Sequence, residues 1–305
     1  MSQAQANGIA IEYDMSGPED GPPVLLVMGF ATQMIGWPDE FRAGLVAEGC
    51  RVIRFDNRDV GLSQKFGKGI PDIRAAQAHI ARGEPSGLPY SLSDMAADAA
   101  GLLGALGIES AHVLGASMGG MIAQLMAIEH PAKVRSLISV YSTSGDPSLP
   151  RAKPEAMKAL TGKPTSGSRQ DVIAATLESR RAYASTGFPF DDVGVMRLAG
   201  AAYDRCYDPE GPFRQWAAVG TAAPRTERLK RLRLPTLVLH GSADPLVPAA
   251  CGRHVAACIP GAEYVEIEGW GHDMPVEVIP VLHARIVPFI RKVELARRIS
   301  GSTGS

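Results

Sequence analysis

Short apolar runs recur along the chain, separated by longer stretches in which apolar residues return every third or fourth position. The runs at 23–28 (PVLLVM), 51–55 (RVIRF), 111–115 (AHVLG), 134–141 (VRSLISVY), 235–240 (PTLVLH) and 264–267 (YVEI) read as strands. Their near-continuous apolar character is that of strands buried on both faces. Residues 9–14 alternate apolar and polar instead, which predicts an edge strand. Helical spacing covers 38–48, 92–106, 118–130, 248–258 and 276–297. Ser91 or Ser93 caps the second of these, and Pro131 ends the third. Strand and helix in alternation imply a mainly parallel α/β sheet with helices on both faces. The alternation fails over 143–222, where Pro, Gly and charged residues are frequent and helical pieces fall near 171–186, 190–207 and 211–219. The division predicted is an α/β core of 1–142 and 223–299, a helical cap of 143–222, and a disordered tail of 300–305 (SGSTGS).

Composition narrows the function. With 305 residues, 45% of them hydrophobic and 21% charged, the chain can bury a large core. Lys and Arg number 31 against 32 Asp and Glu, a net charge of −1, so no long-range field draws in nucleic acid or an anionic membrane. The first seven residues hold no Lys or Arg and lead into no long apolar run, which argues against a signal peptide. No uncharged apolar stretch reaches 18 residues, so no membrane span is expected and the location expected is cytoplasmic. Cys50, Cys206, Cys251 and Cys258 form no CxxC pair and read as reduced, mostly buried thiols. No metal-ligand cluster and no phosphate loop stands out, so no metal and no cofactor are expected. A homodimer is left open.

The chemistry centres on Gly115-Ala116-Ser117-Met118-Gly119, a G-x-S-x-G that follows an apolar strand and opens a helix. That context predicts a nucleophile elbow: a sharp turn that lifts the serine hydroxyl above the sheet, at the positive end of a helix. A serine hydroxyl needs a base. His272, in GWGH (269–272), follows the last strand, and Asp244, in GSADPLVP (241–248), follows the strand before it. The order Ser, acid, His is that of a triad on such a sheet. His240 ends a strand and is the competing base. Asp56 is the competing acid, but it reads as a buried structural partner of Arg58, and Asp273 points elsewhere if His272 faces Ser117. An oxyanion hole needs two backbone N–H groups. Met118, after the nucleophile, and Phe30, in the MGF loop (28–30), supply them.

Taken together, the elbow, the MGF loop and the GSADPLVP and GWGH segments resemble an α/β-hydrolase over about residues 7–297. The stretches GWPDEF (36–41), RFDNRD (54–59) and GFPFDD (187–192) are similar to the aclacinomycin methylesterase family of polyketide methyl-ester hydrolases. Met28 departs from the His that many relatives carry before the Gly of this loop, at a place where only the backbone acts. The resemblance implies an eight-stranded α/β-hydrolase sheet and a serine esterase acting on a small or medium, largely apolar ester. Alternatives on the same triad are a cofactor-free haloperoxidase or perhydrolase and a C–C bond hydrolase or lyase. A non-catalytic binder would lack a triad member. Trp37 and Trp270 flank the site loops and, with Phe188 and Trp216 of the cap, are candidate substrate-binding residues.

Overall fold

A computed structural model describes residues 2–302. Eight strands form one sheet: β1 (Ser2–Ala6), β2 (Ile9–Ser16), β3 (Pro23–Val27), β4 (Arg51–Phe55), β5 (Ala111–Ala116), β6 (Val134–Val140), β7 (Thr236–Gly241) and β8 (Glu263–Ile267). Their order is β1-β2-β4-β3-β5-β6-β7-β8. The β1–β2 and β2–β4 pairs are antiparallel, and every later pair is parallel. Helices α1 (Asp39–Ala47), α2 (Ile73–Ala81), α3 (Leu92–Ala105) and α4 (Met118–Glu129) lie between the earlier strands. Between β6 and β7 come α5 (Pro154–Leu160), α6 (Arg169–Ala182), α7 (Asp192–Arg205), α8 (Gly211–Gly220) and α9 (Thr226–Leu229). Helices α10 (Ala249–Cys258) and α11 (Ile279–Ser302) complete the chain.

The unbroken apolar runs have a direct cause. On a strand, successive side chains point to opposite faces, and here both faces are covered. Leu25 and Val27 of β3 enter the core shared with α3 and α4, whereas Val24 and Leu26 enter the core shared with α1 and α11. Val113 and Leu114 of β5 divide in the same way, as do Val238 and Leu239 of β7. Ser91 caps α3, with Asp94 bonding back to the Ser91 amide in a capping box.

Some elements departed from expectation. Strand β1 is largely exposed and polar, so no apolar pattern announces it; it exists because its backbone pairs with β2. Helices α2, α5 and α9 are short, and only one residue is buried in each, too few to make a periodic stripe. Of the expected tail, the final helix runs on to Ser302, and 303–305 lie outside the described residues. No helix among the described residues is long and apolar enough to cross a membrane.

Candidate active site

The sheet delivers three side chains to one edge. Ser117 follows β5, Asp244 follows β7 and His272 follows β8, all at the carboxyl ends of parallel strands. Ser117 has φ 56° and ψ −119°, a conformation that costs a non-glycine residue about 1–3 kcal/mol. Surrounding bonds hold it there: its amide donates to the Val140 carbonyl at 2.9 Å, and the Ser142 hydroxyl donates to its carbonyl at 2.7 Å. The flanking glycines answer to close packing. A Cβ on Gly115 would lie 2.1 Å from the Gly119 carbonyl oxygen, and one on Gly119 would lie 2.0 Å from that of Val27. The turn therefore exists only where both side chains are absent.

His272 Nε2 lies 2.9 Å from Ser117 Oγ, and His272 Nδ1 lies 2.6 Å from Asp244 Oδ2. The tautomer with its proton on Nδ1 satisfies both contacts, with Nδ1–H donating to Asp244 and Ser117 Oγ–H donating to Nε2. The second carboxylate oxygen of Asp244 accepts the amides of Leu246 and Val247, each at 2.8 Å. Asp244 and His272 are buried, and Ser117 is half-buried. The His272 ring packs on Tyr141, centroid to centroid 4.6 Å, and its amide donates to the Tyr183 carbonyl at 2.8 Å. Tyr183 belongs to the inserted segment. Sequence reasoning gave neither tyrosine a place beside His272; the available signal was that Tyr141 directly follows a strand that ends at the elbow.

The competing residues have other partners, although His240 Nε2 lies 3.7 Å from Asp244 Oδ2. His240 Nε2 bonds the Val247 carbonyl at 2.7 Å, and burial holds this imidazole below its ordinary pKa. Asp273 turns away to Ser185, whose hydroxyl and amide donate to it at 2.5 and 3.1 Å. Burial raises the Asp273 carboxyl above the ordinary range, partly offset by those two bonds. The expected Asp56–Arg58 pair is corrected. Asp56 pairs with Arg205 of α7 at 2.6 Å and also accepts the amides of Met34 and Leu62. Arg58 makes a two-pronged pair with Asp98 of α3, both contacts at 2.6 Å. Neighbours in sequence point apart, and each finds its ion partner across the fold.

Phe30 lies in the loop after β3, and Met118, directly after Ser117, is the first residue of α4. Among the described residues no carbonyl or side chain accepts either amide. The next residue, Ala31, sits at φ 54°, and its amide donates to Gln215 Oε1 of α8 at 2.9 Å. The same Gln215, wholly buried, donates from Nε2 to the Arg58 carbonyl at 2.8 Å. Its neighbours act likewise: Arg214 forms a two-pronged pair with Asp59, both contacts at 2.9 Å, and Trp216 meets the Phe30 ring edge-on at 5.5 Å. Two consecutive residues of an inserted helix, Gln215 and Trp216, thus hold the loop that carries Phe30, and Arg214 beside them holds the loop after β4. Phe188 is half-buried against the core. Trp37 is stacked on Phe41 within the core, and Trp270 is wholly buried, bonded through Nε1 to the Asp273 carbonyl and edge-on to Tyr141. Both tryptophans are thus placed with the core rather than along an open acyl pocket.

Residues 22–277 match the family described as the alpha/beta hydrolase fold. The chain belongs to that family. This α/β hydrolase is 30% identical to rhodomycin D methylesterase DauP of Streptomyces sp. (strain C5), over 90% of this chain and 92% of that one. It is 29% identical to rhodomycin D methylesterase DnrP of Streptomyces peucetius, over 91% and 93% of the two chains. Among solved structures, the enol-lactonase of Burkholderia xenovorans LB400 superposes on this α/β hydrolase with a TM-score of 0.72 at 23% identity, covering 95% of this chain and 100% of that one.

Proposed function

We propose that this α/β hydrolase is a serine esterase that cleaves methyl esters of largely apolar carboxylic acids by two-step acyl transfer. The observation that carries the reading is the unbroken line from Ser117 Oγ through His272, 2.9 Å away, to Asp244, 2.6 Å beyond. The similarity to two methylesterases over nine-tenths of the chain supports the reaction class and the small alcohol.

In the reaction, Ser117 Oγ attacks the ester carbonyl carbon while His272 Nε2 takes its proton. Asp244 steadies the imidazolium through Nδ1 and fixes the tautomer. The tetrahedral oxyanion accepts hydrogen bonds from the Met118 and Phe30 amides, whose N–H groups are otherwise unspent. His272 returns the proton to the departing alkoxide, which leaves as methanol. Water, deprotonated by the same imidazole, then attacks the acyl-enzyme and releases the acid. Trp216 and Phe188 furnish apolar wall near Phe30 and the core, respectively.

The test is a panel of methyl and 4-nitrophenyl esters with the wild type and Ser117→Ala. The expected result is turnover by the wild type and a loss on the order of 10³–10⁶-fold in the variant, with unchanged thermal unfolding. Equal turnover by both proteins would overturn the assignment of the nucleophile. A wild type inert toward every ester but active on a β-diketone would replace ester hydrolysis with C–C bond cleavage.

A further inference from the structure

Within residues 143–222, Arg180, Arg205 and Arg214 are the arginines that are not exposed. Arg205 pairs with Asp56, and Arg214 pairs with Asp59. Arg180 has no carboxylate within 4.0 Å among the described residues, although its neighbour Arg181 pairs outward with Asp192. The Arg180 side chain is half-buried. Nη2 donates to Thr32 Oγ1 at 3.2 Å, and that hydroxyl in turn donates to the Phe30 carbonyl at 3.0 Å. On its other side the guanidinium lies 6.0 Å from the Tyr183 ring, and the Tyr183 carbonyl holds the His272 amide. Arg180 therefore bridges from the loop of Phe30 to the loop of His272, the two loops that flank Ser117. Its charge is felt there: it opposes the upward shift that burial imposes on the Tyr141 hydroxyl and on the Asp273 carboxyl. Asp273, the nearby carboxylate, is already engaged by Ser185.

A partly desolvated guanidinium has lost hydration and gained only a hydroxyl, whereas its five donors fit a carboxylate two-pronged. We propose that Arg180 is an anion subsite of the active centre, and that the preferred ester carries, at the far end of an otherwise apolar acyl chain, a free carboxylate remote from the scissile bond, as in the monomethyl esters of dicarboxylic acids. The proposal rests on Ser117 being the esterase nucleophile.

The experiment compares kcat/KM for monomethyl succinate, glutarate and adipate with that for methyl butyrate, valerate and hexanoate, in which a methyl group replaces the carboxylate. The enzyme is assayed as wild type, Arg180→Met, Arg180→Lys and Thr32→Val, each checked for wild-type thermal unfolding. Wild type should prefer at least one monoanion over its neutral partner. Arg180→Met should lower that ratio about 10- to 100-fold, as expected for loss of a charged hydrogen-bonding partner. Arg180→Lys should retain part of the preference. Thr32→Val breaks the bond to the loop and keeps the charge, so the ratio should stand. Free glutarate should compete with methyl valerate for wild type and not for Arg180→Met. The proposal is overturned if no monoanion is preferred and no dicarboxylate competes. It is equally overturned if Arg180→Met leaves the ratio where it was, for then the arginine only braces the loop. If Ser117→Ala still turns over methyl valerate, the esterase reading itself fails, and that result is distinct from either of these.

Discussion

Asp56 and Asp244 both follow strands, both are buried and both accept two backbone amides, yet they should fail in opposite ways when made neutral. In Asp244→Asn, one oxygen must remain to accept the Leu246 and Val247 amides. The new NH2 group then faces His272 Nδ1, where Asp244 Oδ2 stood at 2.6 Å. Nδ1 must become the acceptor, which moves the imidazole proton to Nε2 and leaves Ser117 without a base. The expected loss in kcat is roughly 10⁴-fold, with unfolding little changed. In Asp56→Asn, the amide replaces a carboxylate ringed by three donors: the Met34 amide, the Leu62 amide and Arg205 Nη1. Its NH2 group opposes at least one of them, and Arg205 loses its counter-ion at a site where its side chain is only 10% exposed. Removing one partner of a buried pair costs about 3–5 kcal/mol. Arg205 keeps a bond to Gln33 Oε1 at 2.8 Å and lies 4.0 Å from Glu12, so the lower end applies. At about 2.1 cal/mol/K of unfolding entropy per residue, that is a fall in Tm of roughly 5 °C for a chain of 305 residues. The surviving folded fraction should remain active, since no atom of Asp56 touches His272. Thermal unfolding and 4-nitrophenyl ester turnover on the same purified samples read both quantities. A stable but dead Asp56→Asn beside an active Asp244→Asn would refute the assignment of the acid.

Other consequences can be checked directly. Gln215→Leu removes the acceptor of the Ala31 amide and frees the loop that aims Phe30, so kcat should fall about 10- to 1,000-fold with KM little changed; a larger change in KM than in kcat would show that Gln215 shapes the pocket instead. Gly119→Ala would drive a methyl group to 2.0 Å from the Val27 carbonyl oxygen, between backbone segments that cannot yield separately, so it should cost at least about 3 kcal/mol; recovery of soluble, wild-type-stable protein would refute the packing account of the elbow. Burial holds His112, His240 and His283 below the ordinary histidine value of 6.5, so the unfolded chain binds more protons than the folded one as pH falls below that value. Stability in urea should therefore be fully present above about pH 7 and fall by up to about 1.4 kcal/mol per pH unit for each such histidine between pH 6.5 and 5; a flat profile there would contradict the burial of these rings. Glu294, held at about 2 chiefly by its bond from His112 Nε2, adds a further loss only below its ordinary value of 4.5.

The sequence by itself determined the parts whose cause is local. A strand covered on both faces must be apolar throughout, so β3, β5, β6 and β7 were legible as runs. The elbow was legible because its geometry is enforced by two missing side chains, and a missing side chain is visible in a sequence. The order of Ser117, Asp244 and His272 was legible because each follows a strand, and the carboxyl ends of parallel strands share one edge. The tertiary structure decided what depends on partners distant in the chain. Arg58 found Asp98 and Asp56 found Arg205, 149 positions away, because charge complementarity carries no signature of separation. Strand β1 exists through backbone pairing, which any side chain permits. That Gln215 holds Ala31, that Tyr183 holds His272 and that Arg180 reaches Thr32 follow from where the inserted helices come to rest on the sheet. Periodicity announces that a segment is helical and which face is apolar; it says nothing of the loop onto which that face is laid, because the docking is set by three-dimensional complementarity between surfaces far apart in sequence.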